Sequence, residues 1–318
     1  MTAVTTPLLV SVTTERHDSP GQIRICADLE GTMPAAPESD FDILLTSSPA
    51  VRAPWVRVAN VKATVESLIG RINSHPASAL MLTRVLKLTA AVSFDDAVQI
   101  ESLAYSVMLG GSEFKAWRSR TPRSDTVPSN DHPLKFTRSG ASRTDADAVT
   151  ICLTNPQVLN PYTRHLRDAL ADALETCLID PTRPSVTLRA EGRSFCTGGA
   201  LDEFGTATDL AAAHAIRIEQ SASARLNRLG ARATVIVQGA AIGSGVEIAA
   251  AAHRVLGTPD CWFHLPELSM GLIPGAGGIA SIPRRIGRHR TCFLVLSGRR
   301  IDARCALSWG LIDEIRQT

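Results

Sequence analysis

Phe195-Cys196-Thr197-Gly198-Gly199, Ile242-Gly243-Ser244-Gly245-Val246-Glu247 and Phe263-His264-Leu265-Pro266-Glu267 are the stretches whose reading decides the fold. Each of the first two is a glycine-rich turn, and small residues let backbone N–H groups come close to a ligand. Thr197 and Ser244 stand where such an amide is needed. The second turn opens a helix near Val246, whose positive end faces whatever the turn binds. Two fixed amides stabilise charge developing on a carbonyl oxygen, and losing one typically costs about 3–4 kcal/mol. Either turn alone reads as an ordinary tight turn; the two together, each after a strand, point to a shared task.

Glu247 and Glu267 complete the pattern. A glutamate in the first turn of a helix commonly just complements its dipole, and a lone loop glutamate is usually solvated. Here both sit among apolar neighbours. Burial raises a carboxyl pKa, and two close carboxyls split their titrations, so one holds a proton while its partner polarises water. Oxyanion-binding amides beside a proton-transferring pair are the parts needed for enolate chemistry on a thioester. The chain therefore reads as an enzyme.

Outward from these motifs, strand and helix patterns alternate. Residues 149–153, 186–188, 234–237 and 255–256 read as strands. Asn160-Pro161 is expected to cap a helix with Leu166, Leu170, Leu174 and Cys177 on one face. One or two helices are expected within 207–229, and another over 246–252. This rhythm predicts an α/β core of repeated strand–turn–helix units.

Upstream, residues 61–120 carry helical spacing. Ser74 is expected to cap the helix that Pro76 begins. Ser93, with Asp96 after it, resembles a capping box, and Ile100, Leu103, Ala104, Val107 and Met108 are read as that helix's buried face. A polar linker is expected over 121–144. Residues 10–13 and 23–26 alternate like short strands, 41–45 reads as another, and 1–60 has no functional reading.

Composition narrows the classes. With 44% hydrophobic and 20% charged residues, the 318-residue chain reads as soluble and globular. A net charge of +2 and 4% aromatic content point to no nucleic-acid partner. No apolar run is long enough for a membrane span. The seven cysteines form no CxxC pair and read as reduced thiols, which implies a cytoplasmic location. There is no GxSxG elbow, no HExxH and no metal-ligand spacing. His264 reads as a packed or hydrogen-bonded histidine, with lining of the site the lesser reading, and the basic run 284–290 as a solvated face, with contact to cofactor phosphates the lesser reading.

Taken together, residues 145–318 resemble the enoyl-CoA hydratase/isomerase (crotonase) superfamily. The resemblance rests on Leu153-Thr154-Asn155-Pro156-Gln157-Val158-Leu159-Asn160, on the two glycine turns, on the Glu267 segment continuing to Gly275-Ala276-Gly277-Gly278, and on Leu296 to Asp302 and Ala306 to Asp313. It implies an α/β crotonase-like ββα spiral core, assembled as a trimer or a dimer of trimers. It implies an oxyanion hole from the amides of Thr197 and Ser244. It implies that Glu247 helps activate water and that Glu267 supplies the proton at Cα. Val158, Leu159, Ala200 and Leu201 would line the CoA channel, with Gly199 and Gly243 allowing close approach.

The implied activity is syn hydration of a 2-enoyl-CoA, the work of a lyase of fatty acid metabolism, with no cofactor beyond the CoA of its substrate and no metal. Isomerisation, decarboxylation, thioester hydrolysis and non-catalytic acyl-CoA binding are the alternatives. Three positions depart from the family pattern: Ala200 replaces a common acid, His253 a common Asp, and Ser244 a common Gly. Residues 67–76 and 102–114 look like the family's C-terminal helices, which implies a circular permutation that moves that segment ahead of the core.

Overall fold

The computed structural model describes residues 22–33, 38–123, 132–140 and 147–317. The strand expected over residues 10–13 lies outside them, as does part of the 121–144 linker. The chain begins with β1 (Ile25–Asp28), β2 (Ile43–Thr46) and β3 (Val56–Arg57), which form a three-stranded parallel sheet. Four helices follow: α1 (Val61–Ser74), α2 (Pro76–Leu88), α3 (Phe94–Leu109) and α4 (Ser112–Arg120). A helical segment thus precedes the core in the chain.

The core comprises β4 (Leu134–Ser139), β5 (Ala148–Leu153), α5 (Arg164–Ile179), β6 (Ser185–Ala190), β7 (Ser194–Cys196), α6 (Leu210–Glu219), α7 (Ala222–Leu229), β8 (Ala233–Val237), β9 (Ala240–Ile242), α8 (Ser244–Ala250), β10 (Arg254–Gly257) and β11 (Trp262–His264). It finishes with α9 (Gly278–Ile286), α10 (Arg288–Ser297), β12 (Ile301–Asp302), α11 (Ala303–Trp309) and β13 (Glu314–Ile315).

These strands form two sheets, one ordered β13-β10-β8-β6-β5-β4 and one ordered β12-β11-β9-β7. The chain climbs between them. β6, β8 and β10 lie in the first sheet, and each is followed directly by a short strand of the second: β7, β9 and β11. Helices then return the chain to the first sheet, giving the ββα spiral. The corner between β8 and β9 admits only glycine, because Gly239 has φ +53° and a Cβ there would sit 1.9 Å from the Arg193 carbonyl oxygen.

Several local readings change in three dimensions. Helix α1 runs through Ser74, so the cap position of α2 falls to His75, which makes no side-chain cap. The exposed start of α2 is capped instead from a distance: the Glu113 carboxylate accepts from Ala77 N at 2.7 Å and Ser78 N at 3.1 Å. Ser93 does cap α3, accepting from Asp96 N at 3.1 Å. On α3, Ala104 and Met108 are buried, but Leu103 and Val107 are 55% and 59% exposed. The apolar face of α3 is wider than the stripe that its neighbours cover.

Helix α5 starts after Thr163, not at Asn160-Pro161. Asn160 is buried, and its side chain accepts from Asn155 N and donates to the carbonyls of Glu191 and Ser194. These bonds tie the segment before α5 to β7. Within the 121–144 stretch, Leu134–Ser139 pairs antiparallel with β5 as an edge strand. Its mostly exposed side chains carry no strong periodic signal.

The basic run is not a solvated face. His289 and Arg290 are buried, and the Arg290 guanidinium lies 5.2 Å from the Trp309 ring centroid. Arg285 pairs with Asp313 at 2.6 Å. Guanidinium groups can stack on aromatic rings and satisfy carbonyls, which lets such a run enter the interior. All seven cysteines are unpaired, and six of them are buried.

Candidate active site

The second sheet explains how residues distant in sequence meet. β7, β9 and β11 are parallel neighbours, so their carboxyl ends lie side by side. Thr197-Gly198 follows β7, Gly243-Ser244 follows β9, and Leu265-Pro266-Glu267 follows β11. Ligands of open parallel sheets commonly bind at such ends. The first turn is tied back by Tyr162 N donating to the Gly198 carbonyl at 2.7 Å, and the second by Gly243 N donating to the His264 carbonyl at 2.9 Å.

Contact between the turns is close. Gly198 has φ +91°, and a Cβ there would lie 3.0 Å from the Ile242 carbonyl oxygen. A Cβ on Gly245 would lie 2.5 Å from the Cys196 carbonyl oxygen. Neither turn tolerates added bulk without parting from the other. Ser244 is the first residue of α8, so its amide is among those that a helix leaves without an internal partner.

Both turns face a cavity of about 1000 Å³. Thr197, Gly199, Ala200, Leu201, Gly243, Ser244, Glu247 and Glu267 all line it. Val158 and Leu159 are not in its wall, although Asn155 and the segment 160–167 are. Leu159 instead accepts a hydrogen bond from the Thr197 hydroxyl at 3.1 Å. Helices from the upstream segment close the cavity, with Tyr105 and Leu109 from α3 and Trp117 from α4 in its wall. His264 also lines it, and burial holds its imidazole below the usual value. His253 is exposed and outside the cavity wall.

The two glutamates are held differently. Glu247 is 3% exposed, and its Oε2 accepts from Ala276 N at 2.7 Å and Gly278 N at 2.9 Å. Burial lifts its pKa to about 7, against the opposing pull of those amides. Glu267 is 5% exposed, in a short 3-10 turn that begins at Glu267 itself. Its Oε2 is buried without a hydrogen-bond partner among the described residues, and its Oε1 lies 3.0 Å from where a Gly243 side chain would begin. Burial, reinforced by the charge of Glu247, raises its pKa well above the ordinary carboxylate range. Two amide donors favour the ionised form of Glu247, whereas Glu267 Oε2 has no such donor among the described residues, so the negative charge of the pair is favoured on Glu247.

A third glutamate was not singled out in the sequence. Glu101 on α3 is 1% exposed, and its carboxylate accepts from Gly277 N and Ile279 N, each at 2.6 Å. Along 276–279, alternate amides therefore go to Glu247 and Glu101. This grip fixes the start of α9 and, with it, the seat of Glu247. Burial and the charge of Glu247 raise the Glu101 pKa. The only signal in the sequence was an acidic residue on an otherwise apolar helix face, which nothing local distinguishes from a solvated one.

Residues 143–317, more than half of the chain, match the sequence model of the enoyl-CoA hydratase/isomerase family. A 1,2-epoxyphenylacetyl-CoA isomerase of Escherichia coli (strain K12) is 30% identical over 179 residues, which cover 55% of this chain and 68% of that protein. A peroxisomal bifunctional enzyme of Danio rerio is 31% identical over 168 residues, 52% of this chain and 22% of that protein. The chain thus spans about two thirds of the first relative's length and about a fifth of the second's. Among solved structures, an enoyl-CoA hydratase from Thermoplasma volcanium GSS1 has a TM-score of 0.51 and 26% identity, over 58% of this chain and 71% of that one. An enoyl-CoA hydratase from Mycobacterium avium subsp. paratuberculosis K-10 has a TM-score of 0.50 and 28% identity, again over 58% and 71%. By sequence and by fold, the chain belongs to the enoyl-CoA hydratase/isomerase (crotonase) family.

Proposed function

We propose that this crotonase-family enzyme hydrates a 2-enoyl-CoA to a 3-hydroxyacyl-CoA, reversibly and with syn geometry. The thioester oxygen takes hydrogen bonds from the amides of Thr197 and Ser244. The Glu247 carboxylate accepts a proton from water as the oxygen of that water bonds to Cβ. The proton of Glu267 passes to Cα, so the elements of water add across the double bond. Proton exchange within the pair then resets both groups. No group beyond the CoA of the substrate takes part.

The observation that carries this reading is the pairing of two buried carboxyls with unlike anchoring in one cavity. Glu247 is fixed by two amides, and Glu267 has an unpartnered oxygen. An isomerase needs one carboxyl to shuttle a proton, whereas hydration uses an acid and a base together, which favours hydration. The upstream helices take the closing role that the family assigns to a segment after the core, which supports the circular permutation.

Loss of the conjugated enoyl-thioester absorbance of crotonyl-CoA, and of a longer 2-enoyl-CoA, tests the proposal. Wild-type protein should hydrate at least one of them. Glu247→Gln and Glu267→Gln should each lower kcat by about 10²–10⁴-fold with the fold intact. Full turnover in both variants, or silence of the wild type with both substrates, would overturn it.

A further inference from the structure

Beyond the two glutamates, the wall of the cavity carries a positive charge that hydration does not use. Arg217 on α6 lines the cavity and also a small side pocket of about 40 Å³ that shares Tyr162, Arg167, Gly275 and Ala276 with it. Its Nε donates to the Ser102 hydroxyl at 2.9 Å, and its Nη2 donates to the Ser102 carbonyl and the Ser106 hydroxyl. Its Nη1 has no hydrogen-bond partner among the described residues. The guanidinium stacks on Tyr105, 5.1 Å from the ring centroid. All of these partners are neutral, and among the described residues no carboxylate comes within ion-pair distance of Arg217.

Arg217 is also not the only cation there. Arg167 of α5 lines both cavities, and its charge opposes that of Arg217, whose pKa burial already lowers. Arg167 is balanced by Asp168 at 2.7 Å, on a side chain that is itself 49% exposed. Glu101 lines the same side pocket and its charge acts favourably on Arg217, but the two make no ion pair. Both Glu101 oxygens are instead held by backbone amides, those of Gly277 and Ile279. Gln220 adds a side-chain amide whose Oε1 is buried without a partner; turned over, that amide would present its NH₂ donors. A half-buried guanidinium held only by neutral acceptors, with a second cation beside it, is an incomplete anion site.

The position of Arg217 indicates which end of a substrate it meets. The Tyr105 ring packs so close to Gly275 that a Cβ there would lie 2.4 Å from the ring. The next residue, Ala276, donates to Glu247. Arg217 is thus linked to the seat of Glu247 through Tyr105, Gly275 and Ala276. Resting on the proposed thioester reading, we infer that Arg217, supported by Arg167, receives a carboxylate at the far end of the acyl chain. The preferred substrate is then the CoA monothioester of an unsaturated dicarboxylic acid.

Equilibrium binding tests this without any turnover. Calorimetry would compare saturated thioesters, which have no double bond to hydrate: adipyl-, pimelyl- and suberyl-CoA against hexanoyl-, heptanoyl- and octanoyl-CoA, with free CoA alongside. At least one dicarboxylate thioester should bind wild-type protein about tenfold or more tightly than its methyl-ended counterpart, as expected for a hydrogen bond between charged groups. Arg217→Met should abolish that preference and leave the affinity for methyl-ended thioesters unchanged. Arg217→Lys should keep part of it.

Equal affinity across the series in wild-type protein would overturn the inference and leave the thioester reading standing. So would an Arg217→Met variant that binds CoA and every thioester more weakly to the same degree, which is the signature of a contact with CoA phosphates or of a brace between α3 and α6. If no CoA compound binds at all, the thioester reading fails and this inference fails with it. Should Arg217→Met not fold, the wild-type series and Arg217→Lys still decide the matter.

Discussion

Replacing Glu101 with alanine removes the acceptor of two buried amides at once. Gly277 N and Ile279 N each lie 2.6 Å from its oxygens, and with Glu101 1% exposed, water does not readily take its place. A buried donor left unpaired costs about 1–3 kcal/mol. The alanine variant should therefore lose about 2–6 kcal/mol, a large share of the roughly 5–15 kcal/mol typical of a folded domain. Glu101→Gln keeps one acceptor oxygen and should lose about 1–3 kcal/mol, so it is the variant suited to kinetics.

Catalysis should suffer as well, because Glu247 is seated on the alternate amides of the same loop. A displacement of about 1 Å can cost about a hundredfold in rate. Urea denaturation gives the stability change, and turnover of the best enoyl-CoA gives the kinetic one. Glu101→Gln should lower kcat more than it raises KM. A Glu101→Ala protein within about 0.5 kcal/mol of wild type, with unchanged kcat, would refute the interlocked-loop argument.

Other predictions follow from the same geometry. Since Glu247 must be ionised and its pKa is raised to about 7, kcat/KM should climb as pH rises through that value. It should fall at higher pH as Glu267, raised well above the carboxylate range, gives up its proton; Glu267→Gln should remove this falling limb along with most of the rate. Gly245→Ala forces a methyl group toward the Cys196 carbonyl. It should part the two turns and cost about 10²-fold or more in kcat, the loss seen when one oxyanion donor is removed, with a KM effect that substrate titration would separate. The exposed pair Leu103 and Val107 on α3 is the surface we expect a trimer to cover. Light scattering should report a trimer for wild type and smaller species for Leu103→Asp/Val107→Asp, whereas a wild-type monomer would remove that expectation.

Much of the site was legible because its parts are local. A glycine turn is needed wherever backbone must approach closely, and that need appears directly as Thr197-Gly198-Gly199 and Gly243-Ser244-Gly245. The strands β5, β6, β8 and β10 were likewise visible, since each is long enough to show an apolar run between turn residues. The three-residue strands β7, β9 and β11 were not read as elements. They are too short for a period to register, yet they are what aligns the turns and Glu267.

By itself, the sequence determined the α/β class, the two glycine turns and the candidacy of Glu247 and Glu267, because these depend on residue type and near-neighbour spacing. Tertiary structure decided the rest. It brought Glu101 across 176 residues to Gly277, turned Leu103 and Val107 outward and drew Arg290 inward. It also set Arg217 in the cavity wall with no ion-pair partner among the described residues. The physical reason is that burial and pairing belong to the partners a side chain meets, and those partners are fixed by packing between elements far apart in the chain.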